Sequence, residues 1–421
     1  MISSMKIQKL ALHWQMVIAL TLGILFGFIF SNTFEVWGNV IDGVGKIFLN
    51  AINMIVIPLV FLSTVLGIST MSSSSSMGRV ALKTFLYFVI TAVFAAVVGV
   101  LVAEVLRPGY GTNIVNVDAG ELLDIAQKTE SLTVMDKIVS IVPKNIFETF
   151  SSGDILPIIL FSLLFGYFVT KINDNRKSTI NNLFESLNDV VMALTNFIIR
   201  FSPFGIFAIV MGLVGSQAND MATLKECFRN FAFFVIVVWI SLIVMGGIIL
   251  PIMVALMAKV SPIKHLKQIY SALMVAFSTS SSYSALPLII SDAKDKLGVS
   301  NNIASFTVPL GITFNKIGTI VYECVAVIFV TQAVGMELTI AQQVSLIGVS
   351  IVTVLGAPSV PMAGVITLAI LLKAMDLPTD YIGMFMAIDI LCDMPKTLLN
   401  AYSVSCSAII VARSEGEMLK I

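Results

Sequence analysis

Ala272–Lys296 reads ALMVAFSTSSSYSALPLIISDAKDK: an apolar run broken at Ser278–Ser284, a second apolar run and a charged end. A helix that crosses a bilayer needs roughly 20 apolar residues, and each half here holds about ten or fewer. The pattern recurs downstream, where LIGVSIVTVLG stops at APSVPMAG (Ala357–Gly364) and resumes as VITLAILL. Irregular backbone at membrane depth survives only where it is buried in protein or lines a watery cavity. Both stretches are read as re-entrant helical hairpins with their tips at that depth, and a pair of interrupted segments points to a transporter's substrate site. SSSSSM at Ser72–Met77 is read as an ordinary serine-rich loop.

The rest of the chain supports a membrane setting. Of its 421 residues 57% are hydrophobic and 12% charged, with a mean hydropathy of +0.97, outside the range of soluble domains. The apolar runs are long and lack period-two alternation, so the fold class is an all-α polytopic membrane protein rather than a barrel. Spans are expected near 12–31, 45–70, 81–106, 141–171, 186–215 and 228–258. Lys6 and Lys9 precede the run Trp14–Phe30, which is too long for a signal peptide and lacks a small-residue cleavage site, so it is taken as the first span. Basic residues cluster at Lys6 and Lys9, Arg79 and Lys83, Lys171 with Arg176 and Lys177, Lys259 with Lys264 and Lys267, and Arg413 with Lys420. These fall in alternate loops, which places both termini in the cytoplasm and the loops at 113–136 and 216–225 outside. A net charge of zero offers no field for nucleic acid. Cys227, Cys324, Cys392 and Cys406 match neither a disulfide framework nor a zinc site and read as buried thiols.

Two apolar segments nonetheless carry charge. In Ile388–Ser403, IDILCDMPKTLLNAYS, the residues Asp389, Asp393, Lys396, Thr397 and Asn400 recur at helical spacing and line one face. Ions inside a membrane helix cost several kcal/mol unless they face a partner, a ligand or a cavity. One reading is an internal network, Asp393 with Lys396 or Thr397. The other is a zwitterion site, with Asp393 for a substrate ammonium, Asn400 for its α-carboxylate and Lys396 for a second anionic group. Pro395 removes a backbone donor and loosens the helix there. The second segment, FNKIGTIVYE at Phe314–Glu323, places Lys316 and Glu323 two turns apart on one face.

The order of six helices, a serine-rich hairpin, a helix bearing N-x-x-G-T, a Pro/Gly-tipped hairpin and a helix bearing D-x-x-x-D-M-x-K-T-x-x-N resembles the glutamate/aspartate transporter family, the dicarboxylate/amino acid:cation symporters. LRPGYG at Leu106–Gly111 fits as well. The resemblance covers essentially the whole chain. It implies eight transmembrane helices plus two re-entrant hairpins in an inner-membrane homotrimer. Scaffold segments at 1–75 and 113–222 alternate with elevator-type transport segments at 76–112 and 223–421. The latter would comprise span six, hairpin 263–296, span seven at 300–331, hairpin 340–374 and span eight at 378–412. Carried over by position, the substrate contacts are Ser281, Ser282, Thr319, Val360, Gly364, Asp393, Lys396, Thr397 and Asn400. No cofactor is implied.

The sequence departs from the family where cations bind. The seventh helix usually reads N-M-D-G-T, and here the same positions are Asn315, Lys316, Ile317, Gly318 and Thr319. A second family aspartate aligns with Val404. Thr91 keeps a sodium-liganding position, but the serine that normally follows is Ala92. At roughly 5 Å and an effective dielectric near 20, a fixed ammonium repels a monovalent cation by about 3 kcal/mol. Sodium coupling is therefore expected to be weakened or lost, with Lys316 replacing a cation, held by Asp389 or backbone carbonyls. Glu323 aligns with a glutamate of the proton-coupled members and is suited to carry a proton, which favours proton over sodium.

Three rival functions are weighed. An intramembrane serine protease would need a base, and His13 and His265 both fall at span edges, so no enzyme is expected. An anion-conducting channel suits two gate-like hairpins less well than alternating access does. An acidic amino acid is the first choice of substrate, because Lys396 keeps the charge that the family's arginine carries there, though not its bidentate fork. A sodium-independent neutral amino acid carrier is the alternative, with Met362 adding bulk at the second hairpin tip.

Overall fold

A computed structural model describes residues 12–69, 75–111, 142–152, 155–217, 221–355, 363–379 and 381–420. Every element among them is helical. The first seven helices are α1 (Leu12–Ile29), α2 (Phe34–Ser69), α3 (Ser75–Leu106), α4 (Ile146–Ser152), α5 (Ile155–Val169), α6 (Asp174–Ile199) and α7 (Ser202–Gln217). Next, α8 (Met221–Val244) runs on through π-helical turns at Met245–Ile249 and Val254–Ala258. The last seven are α9 (Pro262–Thr279), α10 (Ser282–Ser291), α11 (Asn301–Phe314), α12 (Ile317–Ala333), α13 (Ile340–Leu355), α14 (Ala363–Ala374) and α15 (Ile382–Ser414).

Two expected spans are divided. The segment 141–171 becomes α4 and α5, and 186–215 becomes the end of α6 followed by α7 after a turn at Arg200 and Phe201. The polar start of α6, DNRKSTINN, is the reason that helix begins well before the apolar run. Arg79–Leu106, Arg229–Ala258 and Asn301–Ala333 are helical stretches long and apolar enough to cross a membrane. The expected loop at 113–136 lies outside the described residues.

Both interrupted stretches form helix pairs, and the serines of the first explain its turn. Ser261 caps α9, its hydroxyl accepting from the Lys264 amide ahead of Pro262 at the first helical position. Ser280 ends that helix in the left-handed region at φ 49°, and Ser281 caps α10 by accepting from the Ser284 amide. Two residues thus reverse the chain. In the second pair α13 and α14 are described, and the tip between them is not.

At the centre stands α12, in which every residue from Ile317 to Thr331 is buried. A helix apolar all round belongs in an interior. Helices α3, α8, α13, α14 and α15 surround it. Gly99 lets α3 close on the Val321 carbonyl, to which an added Cβ would come within 2.9 Å. A smaller apolar cluster, Leu62, Val65 and Phe184, joins α2 and α6, with Phe165 of α5 packed against it.

One end of the bundle is tied by the segment after α15. The Ser300 amide donates to Glu417 Oε2 at 2.9 Å, the Lys420 amide donates to the Leu297 carbonyl at 3.0 Å, and Arg79 and Lys83 of α3 pair with Glu415. The Lys83 hydrogen bond, with Arg79 adding positive charge, holds the Glu415 carboxyl below its ordinary range. A carboxyl depressed in the folded state stabilises above its unfolded pKa, and that contribution is lost as pH falls through the folded value. Glu415→Gln should therefore melt below the parent at pH 7, and the gap should close as pH falls past the ordinary glutamate value of about 4.3, checked by thermal melting in detergent.

Candidate functional site

The polar stripe of α15 and the break between α11 and α12 meet. Asn315 and Lys316 leave helical geometry, with φ/ψ of −92°/74° and −105°/54°. The first amides of α12 then need acceptors. Asn400 supplies one, its Oδ1 accepting from the Gly318 amide at 2.8 Å. Gly318 has to be glycine, because a Cβ there would overlap the Lys396 carbonyl. Asn315 joins three helices: its Nδ2 donates to Ser403 Oγ at 2.8 Å, and its Oδ1 accepts from Thr91 Oγ1 of α3 at 3.3 Å. Tyr87 completes this web by donating to the Ser403 carbonyl at 3.2 Å.

Lys396 is the core of the charged site. It is 1% exposed, and its ammonium lies 2.6 Å from Asp389 Oδ1, 3.5 Å from Asp393 Oδ1 and 4.0 Å from the centre of the Tyr322 ring. The internal network anticipated between Asp393 and Lys396 is present, but Asp389 is the nearer carboxylate. Gly364, at the start of α14, adjoins the same ammonium: a Cβ there would stand 2.9 Å from Nζ. The second hairpin therefore reaches the site through a residue without a side chain. Thr319, Thr397 and Asn400 are buried beside this cluster.

One of the two partners expected for Lys316 is engaged elsewhere. Lys316 is expected to be held by Asp389 or by backbone carbonyls, and Asp389 pairs with Lys396 at 2.6 Å. Lys316 is 6% exposed at the helix break, two turns before Glu323. His265 lies in the first turn of α9, at the edge where it is expected, and is fully buried with its Nε2 2.8 Å from Ser405 Oγ. Glu323 is fully buried beside Thr367, whose hydroxyl donates to the Gly364 carbonyl at 3.2 Å. Neither Glu323 oxygen completes a hydrogen bond of good geometry.

The remaining candidates divide. Ser281 and Ser282 lie at the first hairpin turn, and among the described residues neither is hydrogen-bonded to the α15 stripe. Val360 and Met362 fall outside the described residues. Cys324, Cys392 and Cys406 are free and buried. Sequence reasoning missed Ser403, although the stripe's own spacing continues from Asn400 to it. It also missed Tyr322, which sits one turn after Thr319. Tyr87 and Trp239 gave no pattern that would single them out.

A buried ion cluster between a broken helix, a polar-striped helix and the second hairpin fits a membrane carrier of the secondary-transport class. The chain belongs to the sodium:dicarboxylate symporter family, whose model matches residues 12–414. It is similar to a proton/sodium-glutamate symport protein of Bacillus caldotenax, 34% identical over 418 residues covering 97% of this chain and 96% of the relative. A proton/glutamate-aspartate symporter of Escherichia coli (strain K12) is 29% identical, covering 98% and 94%. A C4-dicarboxylate transport protein of Laribacter hongkongensis is 29% identical, covering 99% and 92%. The protein is thus a symporter-family transporter and not an enzyme.

Removing one partner of a buried ion pair costs about 3–5 kcal/mol, because the other charge is left behind. Asp389→Ala should accordingly lower the melting temperature more than Asp393→Ala does, in keeping with the 2.6 Å and 3.5 Å separations. Equal losses in thermal melting would contradict the ranking.

Proposed function

We propose that the protein is a secondary active transporter of acidic substrates, glutamate or aspartate first, working by elevator-type alternating access. The observation that carries this reading is the Lys396 ammonium held in a dry site between Asp389 and Asp393. Substrate would displace part of that arrangement. Asp393, the less tightly paired and at 21% the more exposed carboxylate, takes the amino group. Lys396 turns to the distal carboxylate. Asn400, whose amide oxygen is engaged by Gly318, offers its amide hydrogens to the α-carboxylate, and the N-terminus of α12 adds its dipole. The relatives' names support an acidic anion, and C4-dicarboxylates fit the same lysine without using Asp393 as an ammonium partner.

Charge counting favours a proton as the coupling ion. Lys316 and Lys396 face Glu323, Asp389 and Asp393, three carboxylates against two ammoniums, so an entering anion brings excess negative charge into low dielectric. A proton on Glu323 offsets it. Sodium is disfavoured because Lys316 is buried at the helix break and both family carboxylate positions are apolar. Ile317 is fully buried, and Val404 packs on Gly311. A neutral amino acid remains the second reading, supported by Lys396 already being countered by two carboxylates.

The assembly is proposed as a homotrimer in the inner membrane with both termini cytoplasmic. Leu183, Leu187, Val190, Leu194 and Phe197 of α6, spaced alternately by four and three, are all exposed, the repeat of a helix-packing seam. That stripe suits a contact between copies.

Uptake into proteoliposomes of L-glutamate, L-aspartate, succinate and neutral amino acids, under separate sodium and proton gradients, tests the proposal. Lys396→Ala should lose acidic substrates selectively, while Asp393→Ala should abolish amino acid uptake and spare succinate more. Equal loss of every substrate in both variants would return the lysine to a purely structural role. Substrate affinity by calorimetry should be nearly flat from sodium-free to high-sodium buffer at constant ionic strength, and Lys316→Met should weaken sodium-free binding. A steep sodium dependence in the parent protein would remove Lys316 from its cation-replacing role.

A further inference from the structure

Pro395 lies inside α15, one residue before Lys396 and two after Asp393. Lacking an N–H, it leaves the carbonyl four residues back, that of Leu391, without its helical donor. Trp239 of α8 meets that carbonyl, its indole Nε1 donating at 3.0 Å. Both side chains lie on an outward face, 42% and 47% exposed, where hydrocarbon offers no hydrogen bond in exchange. Membrane tryptophans commonly sit at the water interface. Trp239 does not fit that role: it is ten residues into the stretch Arg229–Ala258, about 15 Å from its start at 1.5 Å per residue.

We propose that Trp239 is a positioning residue of the transport site, acting through the Leu391 carbonyl that Pro395 leaves open. The turn Leu391–Lys396 carries Asp393 and Lys396, with Asp389 just before it. On its inner side the Lys396 carbonyl abuts Gly318, where no side chain intervenes. On its outer side the indole holds Leu391. The loosened turn is therefore gripped from two directions, which fixes the ammonium between its two carboxylates. Productive site geometry tolerates only about 0.5 Å of error, so a helix free to relax at Pro395 would misplace Lys396.

The test is a double-mutant cycle, and its transport arm rests on the acidic-substrate reading above. Trp239→Phe keeps the ring and removes the donor. Pro395→Ala restores an amide that can serve Leu391 from within the helix. In the parent background Trp239→Phe should raise the apparent KM for the transported member of L-glutamate, L-aspartate and succinate about three- to tenfold, with the maximal rate changed less than about twofold. In the Pro395→Ala background the same change should leave KM within about twofold. Melting of the purified protein is run as a parallel cycle that needs no substrate, with a drop expected in the parent and none in Pro395→Ala. Equal effects of Trp239→Phe in both backgrounds, or no effect in the parent, would overturn the proposal. If Trp239→Phe alone does not fold, recovery of folded protein in the double variant supports the linkage, and failure to recover overturns it. Should none of the three anions be transported, the acidic-substrate reading fails while the melting cycle still decides the Trp239–Leu391 linkage.

Discussion

An ammonium ion withdrawn from water inside a helical bundle has to be met by negative charge within a few ångströms, and Lys396 is met by Asp389 and Asp393 on its own helix. Most of the surrounding architecture follows from keeping that arrangement dry and satisfied. The Tyr322 face covers the ammonium from α12, and Gly364 lets the second hairpin approach without a side chain. Gly318 allows the broken helix to reach the carbonyl of Lys396 itself. These contacts come from α12 and α14, so the lysine is where the second hairpin, the broken helix and the striped helix are joined.

The break at Asn315 and Lys316 is the second half of the same problem. A chain that stops being helical in an apolar interior exposes amides and carbonyls that must find partners. Asn400 of α15 provides one for the Gly318 amide, while the Asn315 side chain is held by Ser403 of α15 and Thr91 of α3. The polar residues that end one helix and start the next are thus also the ones that bind three helices together. Lys316 is buried at this break, two turns before Glu323.

Much of this was legible in the sequence, for identifiable reasons. Run length and the polar breaks marked both interrupted stretches as helix pairs, although the helices run to 18 and 10 residues in the first and 16 and 12 in the second rather than about ten apiece. The stripe in α15 was visible because helical spacing is rigid, and it led directly to Asp393, Lys396 and Asn400. What the pattern could not supply was pairing across elements. Asp389 and Lys396 pair within α15, two turns apart, so the stripe's spacing held that contact, whereas the approach of Gly318 and Tyr322 to Lys396 depends on the crossing of α12 and α15. The same holds for Tyr87, Ser403 and the Trp239 indole. The division of 186–215 was missed because apolar content continues across the turn at Arg200 and Phe201.

The partners of the helix break have a consequence for how the chain enters its membrane. Gly318 finds Asn400 across 82 positions of sequence, and Asn315 finds Ser403 across 88. Helices are delivered to the bilayer in the order of synthesis. The Gly318 amide and the Asn315 side chain therefore arrive well before the residues that satisfy them, and unsatisfied polar groups in hydrocarbon are costly. The seventh helical unit has to wait in a sheltered or partly wet location, next to the insertion machinery or against α3, until α15 follows. Biogenesis, rather than final stability, is then the stage at which a substitution in this break would first be felt.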